Sequence, residues 1–221
     1  MRNQHTPFAR EGYPFIGGLA LVTLVFGGLA GVGQGVVWPV LTGLGLVLTL
    51  FTAWFFRNPE RVPPAGEKNV VAPADGKVIF VGEVREPRCG EAPVTKISIF
   101  MNVFNVHVNR VPVSGTVVDR FYNAGSFLNA ALDKASTENE QGGLVVQTDN
   151  GQRVMFVQIA GLIARRIVTY PVVGDRLERG RRYGLIRFGS RVDVYLPPGT
   201  RIAVRLGQLT VAGETILGEL P

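Results

Sequence analysis

Few side chains in this sequence of 221 residues could do covalent chemistry. There are two histidines, His5 and His107, and one cysteine, Cys89. A single cysteine allows neither an intrachain disulfide nor a cysteine-rich zinc site. Two histidines cannot build a multi-histidine metal centre, so no metal is expected. No Walker-type or GxGxxG loop is present. An enzyme this poor in reactive groups borrows an electrophile from a cofactor, or makes one from its own chain. Gly-Ser peptide bonds offer the second route. The serine hydroxyl attacks the preceding carbonyl, which glycine leaves sterically open. The peptide becomes an ester, and β-elimination then leaves a pyruvoyl group on the new N-terminus. Such a carbonyl can form a Schiff base with a substrate amine and draw electrons from its α-carbon, without bound pyridoxal phosphate. Two pairs exist, Gly125-Ser126 and Gly189-Ser190. Gly-Ser is a common turn dipeptide, so neither pair alone identifies a cleavage site.

The elements that must position these groups divide sharply by charge. From Tyr13 to Phe56, 44 residues carry no Asp, Glu, Lys, Arg or His, and 28 of them are apolar. The 165 residues from Arg57 onward hold 37 of the 40 charged groups. Phe15–Val32 and Val36–Phe56 would span about 27 and about 31 Å as helices, close to the ~30 Å of bilayer hydrocarbon. A break at Gly33-Gln34-Gly35 makes them a transmembrane α-hairpin. Arg2, Arg10, Arg57 and Arg61 flank it and its loop is uncharged, so the positive-inside rule places both ends in the cytoplasm, at the plasma membrane. The expected organisation is a tail (1–12), the hairpin (13–56), a Pro-rich linker (57–68) and a catalytic domain (69–221).

The domain reads as mainly β (α+β), with strands at Gly76–Val84, Val94–Phe100, Gly115–Arg120, Leu144–Thr148, Arg153–Ile159, Arg191–Tyr195 and Arg201–Leu206. Helices are expected at Asn129–Glu138 and Ile159–Val168. Pro73-Ala74-Asp75-Gly76-Lys77-Val78 and the segment Gly207–Leu217 resemble paired elements of biotinyl and lipoyl carrier domains. That resemblance implies a barrel-sandwich-like core, without a carrier lysine at the hairpin tip.

Several segments come in a telling order. They are Phe55-Phe56-Arg57-Asn58-Pro59-Glu60-Arg61, Ala72–Val78, Asn105-Val106-His107-Val108-Asn109-Arg110-Val111-Pro112-Val113-Ser114-Gly115, Lys134–Glu140, Gln158–Ile167 and Gly184–Asp193. From about Phe55 to Leu217 the chain resembles the phosphatidylserine decarboxylase family in its short form. The resemblance implies a proenzyme cleaved between Gly189 and Ser190 into a β chain (1–189) and an α chain (190–221). The covalent pyruvoyl cofactor would derive from Ser190. The reaction would turn phosphatidylserine into phosphatidylethanolamine. Asp75 and His107 match the family's catalytic aspartate and a family histidine. Asp75 would hold or polarise the base, and His107 would accept or donate the proton. Longer members carry a second histidine where this chain has Arg110, and a guanidinium is a poor base, so either His107 serves both steps or Asp75 alone assists self-cleavage. Arg110 is instead expected, with Arg187 and Arg191, to bind a phosphate or carboxylate of the substrate. Arg176, Arg179, Arg181, Arg182, Arg187 and Arg191 crowd this stretch of sequence, so the net charge of +6 is read as facing a phospholipid headgroup, not nucleic acid. An ether-linked (archaetidylserine-type) substrate, a non-enzymatic membrane-anchored barrel module and a homo-oligomer stay open.

Overall fold

The computed structural model describes residues 4–33, 35–126, 130, 138–161, 166–187 and 190–221. The chain divides into two compact units, His5–Pro59 and Glu60–Pro221, the latter taking in Gln4.

In the first unit, α1 (Tyr13–Val32) and α2 (Val37–Phe55) form an apolar helical hairpin. Both are long and apolar enough to cross a membrane. They meet through small residues. Thr23 Oγ1 lies 3.3 Å from Thr49 Oγ1, and each hydroxyl also bonds a carbonyl one turn back in its own helix. A Cβ on Gly45 would stand 2.5 Å from Thr23 Oγ1, so the backbone approaches here only because position 45 is glycine. Many of the large side chains point outward, with Leu24 73% and Val32 84% exposed. An apolar face this extensive needs an apolar surrounding.

The second unit is mainly β. Its strands are β1 (Asn69–Val71), β2 (Gly76–Val84), β3 (Val94–Met101), β4 (Val108–Arg110), β5 (Gly115–Asn123), β6 (Gln141–Gln147) and β7 (Arg153–Ala160). There follow β8 (Ile167–Thr169), β9 (Arg176–Leu177), β10 (Arg182–Ile186), β11 (Ser190–Leu196), β12 (Arg201–Ile202), β13 (Leu209–Thr210) and β14 (Ile216–Glu219). An eight-stranded sheet runs β13-β2-β3-β11-β7-β6-β5-β9. Two three-stranded sheets run β1-β14-β12 and β4-β10-β8. Register shifts in β2 and β5 curl the large sheet.

Alternation along each strand builds the core. Val192, Val194 and Leu196 of β11 join Ile97, Ile99 and Met101 of β3, and Phe156 and Ala160 of β7, in one apolar cluster. Tyr183 and Ile186 of β10 close over it, and the Phe156 and Tyr183 rings meet edge to face at 4.8 Å. The other face holds a smaller cluster around Met155, Val157, Ile159 and Tyr195.

The strand at Gly76–Val84 has the expected bounds, and the paired carrier-like segments do meet: Leu209 faces Lys77 and Thr210 faces Gly76. The expected helix at Ile159–Val168 is corrected. Ile159 and Ala160 end β7 and Ile167–Thr169 form β8, with 162–165 outside the described residues. Pairing of Ile159 with Arg191 and Gln141 overrides the local helical pattern. Of the helix expected at Asn129–Glu138, all but Ala130 and Glu138 lies outside the described residues. The strand expected at Arg201–Leu206 stops at Ile202.

Candidate active site

Ser190 opens β11, the strand at the centre of the large sheet. It faces Met101 of β3 on one side and Ala160 of β7 on the other. It is fully buried, and by alternation its side chain shares the face of Val192 and Val194. Among the described residues its Oγ has one hydrogen-bond partner, Met101 Sδ at 3.5 Å. Sulfur is a weak acceptor, so the hydroxyl is held without being strongly engaged. Gly189 lies outside the described residues. The competing pair differs: Gly125 and Ser126 are exposed, and Ser126 forms only an isolated bridge with Asn139.

A line of uncharged polar groups runs behind Ser190. Asn109 Nδ2 lies 3.6 Å from the same Met101 sulfur and 3.5 Å from the Pro73 carbonyl. Asn109 Oδ1 accepts from Gln158 Nε2 at 2.8 Å, and Gln158 Oε1 accepts from Thr169 Oγ1 at 2.6 Å. Sequence reasoning missed Met101, Asn109, Gln158 and Thr169 as parts of this site. The available signal was an amide inside an apolar strand, as in Phe156-Val157-Gln158-Ile159, because a buried amide must find partners.

His107 is buried and precedes β4. A turn at Asn102–Asn105, closed by the Asn102 and Asn105 side chains, delivers it from the end of β3. Its Nδ1 lies 2.9 Å from the Asn105 carbonyl oxygen, which can only accept. Nδ1 therefore carries the hydrogen, and in the neutral ring Nε2 keeps the lone pair. The His107 carbonyl accepts from Ile186 N–H, four residues before Ser190.

Asp75 sits in the turn before β2. Arg61 grips both its carboxylate oxygens, and its Oδ1 accepts from the Ala212 N–H at 2.8 Å. The same turn offers the Pro73 carbonyl to Arg110 N–H at 2.9 Å, so it braces the strand that follows His107. Residues 60–68, expected as linker, supply part of this framework: Glu60 pairs with Arg182, and Pro63 packs so close to Gly180 that a Cβ there would stand 2.2 Å from Pro63 Cγ.

The arginines that crowd the sequence disperse in space. Arg191 and Asp193 are both buried, and the guanidinium bonds both Asp193 oxygens (2.6 and 3.0 Å) and Ser98 Oγ (2.9 Å). Residues 190 and 191 point to opposite faces, which carries Arg191 away from the Ser190 face. Arg110 is buried, with Nη1 on the Gly180 carbonyl at 2.8 Å. Burial first, then Arg182 and Arg61, pushes its pKa down to about 10, against the pull of Glu60 and Asp75. Arg176 pairs with Asp149, Arg181 with Glu178, and Arg179 binds the carbonyls of Pro64, Gly66 and Asn69. Arg187 is half-buried, three residues before Ser190.

A family model described as phosphatidylserine decarboxylase matches residues 48–218. A phosphatidylserine decarboxylase proenzyme of Syntrophotalea carbinolica is 60% identical over 220 residues, covering 100% of both chains. Proteins of the same name from Geotalea uraniireducens and Geobacter sulfurreducens are 57% and 58% identical over 221 residues, again covering 100% of both chains. Matches of this extent make the chain a carboxy-lyase by family. It belongs to the phosphatidylserine decarboxylase family.

Proposed function

We propose that the chain is a membrane-anchored proenzyme that cuts itself between Gly189 and Ser190 and then converts phosphatidylserine to phosphatidylethanolamine. The observation that carries this reading is Ser190 itself. It is a fully buried serine with a weakly held hydroxyl at the centre of the large sheet, in a chain whose full-length relatives are named proenzymes.

In self-cleavage, Ser190 Oγ adds to the Gly189 carbonyl carbon and His107 Nε2 takes its proton. The C–N bond breaks, and the departing nitrogen leaves protonated as the amine of an ester. Loss of the Ser190 Cα proton breaks the Cβ–Oγ bond and frees residue 189 as a carboxylate. One water then enters and one ammonia leaves as the remaining enamine becomes the pyruvoyl group. That group fits the space Ser190 occupies between Met101 and Ala160, because it keeps Cα, Cβ and the carbonyl carbon and places an oxygen where the amide nitrogen stood. It supplies a carbonyl for the substrate amine and an electron sink for the bond to CO₂.

The other residues bind, hold and move protons. His107 returns a proton to the substrate's α-carbon. Asp75 acts through its turn, which holds β4 and hence His107. Of the three arginines expected at the headgroup, we assign the phosphate to Arg187, which is half-buried and lies three residues before Ser190. The proposed α chain (190–221) carries β11 to β14. β11 stays wedged between β3 and β7, so cleavage does not release it. The hairpin (13–56) enters the bilayer with the catalytic domain (69–221) on the cytoplasmic side, and the short connection keeps the domain near its lipid.

The test is a denaturing gel with a CO₂-release assay on phosphatidylserine vesicles. The wild type should give two fragments and release CO₂. Ser190→Ala should give one intact chain and none, and processing that persisted in this variant would sink the proposal.

A further inference from the structure

The β4-β10-β8 sheet and the large sheet are joined directly at the proposed cleavage point. β10 ends at Ile186 and β11 begins at Ser190. His107 immediately precedes β4 of the small sheet, and Ser190 opens β11 of the large one, so the position of His107 relative to Ser190 Oγ depends on how the small sheet is fixed to the large one.

Gln158 does this fixing. It lies on β7, next to β11, facing Val192 in register. Asn109, Gly184 and Thr169 form one row across the small sheet, because Gly184 pairs with both of the others. The Gln158 amide reaches both ends of that row: Nε2 donates to Asn109 Oδ1 at 2.8 Å and Oε1 accepts from Thr169 Oγ1 at 2.6 Å. At the middle of the row, a Cβ on Gly184 would stand 3.2 Å from Gln158 Nε2 and 2.1 Å from the Val168 carbonyl oxygen, so the glycine leaves room for the amide. Gln158 and Asn109 are both fully buried. Packing alone would be served by apolar side chains, whereas an amide bonded at both ends fixes direction as well as distance.

We propose that Gln158 is a positioning residue for self-cleavage, clamping both edge strands of the small sheet to β7 so that His107, which immediately precedes β4, is held in reach of Ser190 Oγ on the adjoining strand β11. This rests on the reading of Gly189-Ser190 as the bond that is cut and of His107 as its base. A base must come within about 2.6–3.2 Å of the group whose proton it takes, and a displacement of about 1 Å can cost about 100-fold in rate.

The experiment follows appearance of the 190–221 fragment after synthesis of the full chain in the presence of lipid. Folding is measured separately by thermal unfolding of each variant in a Ser190→Ala background, where nothing is cut. Gln158→Met should slow cleavage about 100-fold. Thr169→Val, which keeps the shape and loses the hydroxyl, should slow it about 10-fold, and Thr169→Ser, which keeps the hydroxyl, should stay close to wild type. If Gln158→Met shows no folding transition, the Thr169 pair decides. Wild-type cleavage in Thr169→Val with slow cleavage in Thr169→Ser would show packing and overturn the clamp, as would wild-type cleavage in a folded Gln158→Met. An uncut wild-type chain would overturn the Ser190 reading itself, whereas a cut wild type with unaffected variants would remove only the clamp.

Discussion

Two polar clusters meet at the Pro73–Asp75 turn, and they are built on opposite principles. One is ionic: Arg61 with Asp75, Arg182 with Glu60, and Arg110 on the Gly180 carbonyl. The other is neutral: Thr169, Gln158, Asn109, Met101 and Ser190. In the ionic cluster Arg61 holds both oxygens of Asp75, and removing either partner strands the other inside the domain. In the neutral cluster the hydroxyl–amide and amide–amide bonds are short, at 2.6 and 2.8 Å, and the line ends on the Met101 sulfur, 3.6 Å from Asn109 Nδ2 and 3.5 Å from the Ser190 hydroxyl. Charge in this domain holds the frame, and the Ser190 hydroxyl sits where no described charge engages it.

That contrast can be broken in several ways. The largest effect is expected at the neutral end. His107→Gln keeps a hydrogen-bonding side chain but loses the base, and should slow self-cleavage by about 10² to 10⁴. Unfolding of the same variant in a Ser190→Ala background should show a folded domain. Cleavage at the wild-type rate would move the base elsewhere.

Asp75→Asn should act first on stability. It leaves Arg61 inside the domain without its carboxylate, at a cost of about 3–5 kcal/mol, read as a lowered denaturation midpoint. Adding Arg61→Met should recover much of this loss. Additive losses would mean that the two residues do not work as a pair.

Arg191→Met should likewise destabilise, by stranding the buried Asp193, and the double variant Arg191→Met with Asp193→Leu should be milder than the single. Vesicle binding should be unchanged in the double variant. Weaker binding would put Arg191 back at the headgroup.

The smallest effect is expected at Cys89, outside both clusters. Burial, chiefly, with Glu86 adding to it, pushes its thiol up to about 12. A raised pKa keeps the thiol protonated at pH 8, so alkylation there should be slow and Cys89→Ala should leave cleavage unchanged. Rapid alkylation at pH 8 would show an open thiol.

Much of the frame was legible from the chain itself. The strand expected at Gly76–Val84 is β2 at its observed bounds, and the charge-free stretch marked the hairpin helices within a few residues. The Ile159–Val168 run misled because Ile-Ala-Gly-Leu-Ile-Ala satisfies a helical pattern locally, whereas the pairing of Ile159 with β11 and β6 is long-range. The arginines misled for a geometric reason: neighbours in β10 and β11 lie in different sheets or point to opposite faces. Ser190, His107 and Asp75 were visible as motif residues. The amide line was not, since it joins positions on β4, β7 and β8 that only the fold brings together.

The central claim is that Ser190 makes the electrophile from its own backbone. Its most direct test is the intact mass of the 190–221 fragment from purified protein. The account predicts a fragment lighter by one ammonia than the same peptide beginning with serine, with no free N-terminal amine. A fragment beginning with an unmodified serine, or an active chain that is never cut, would contradict it.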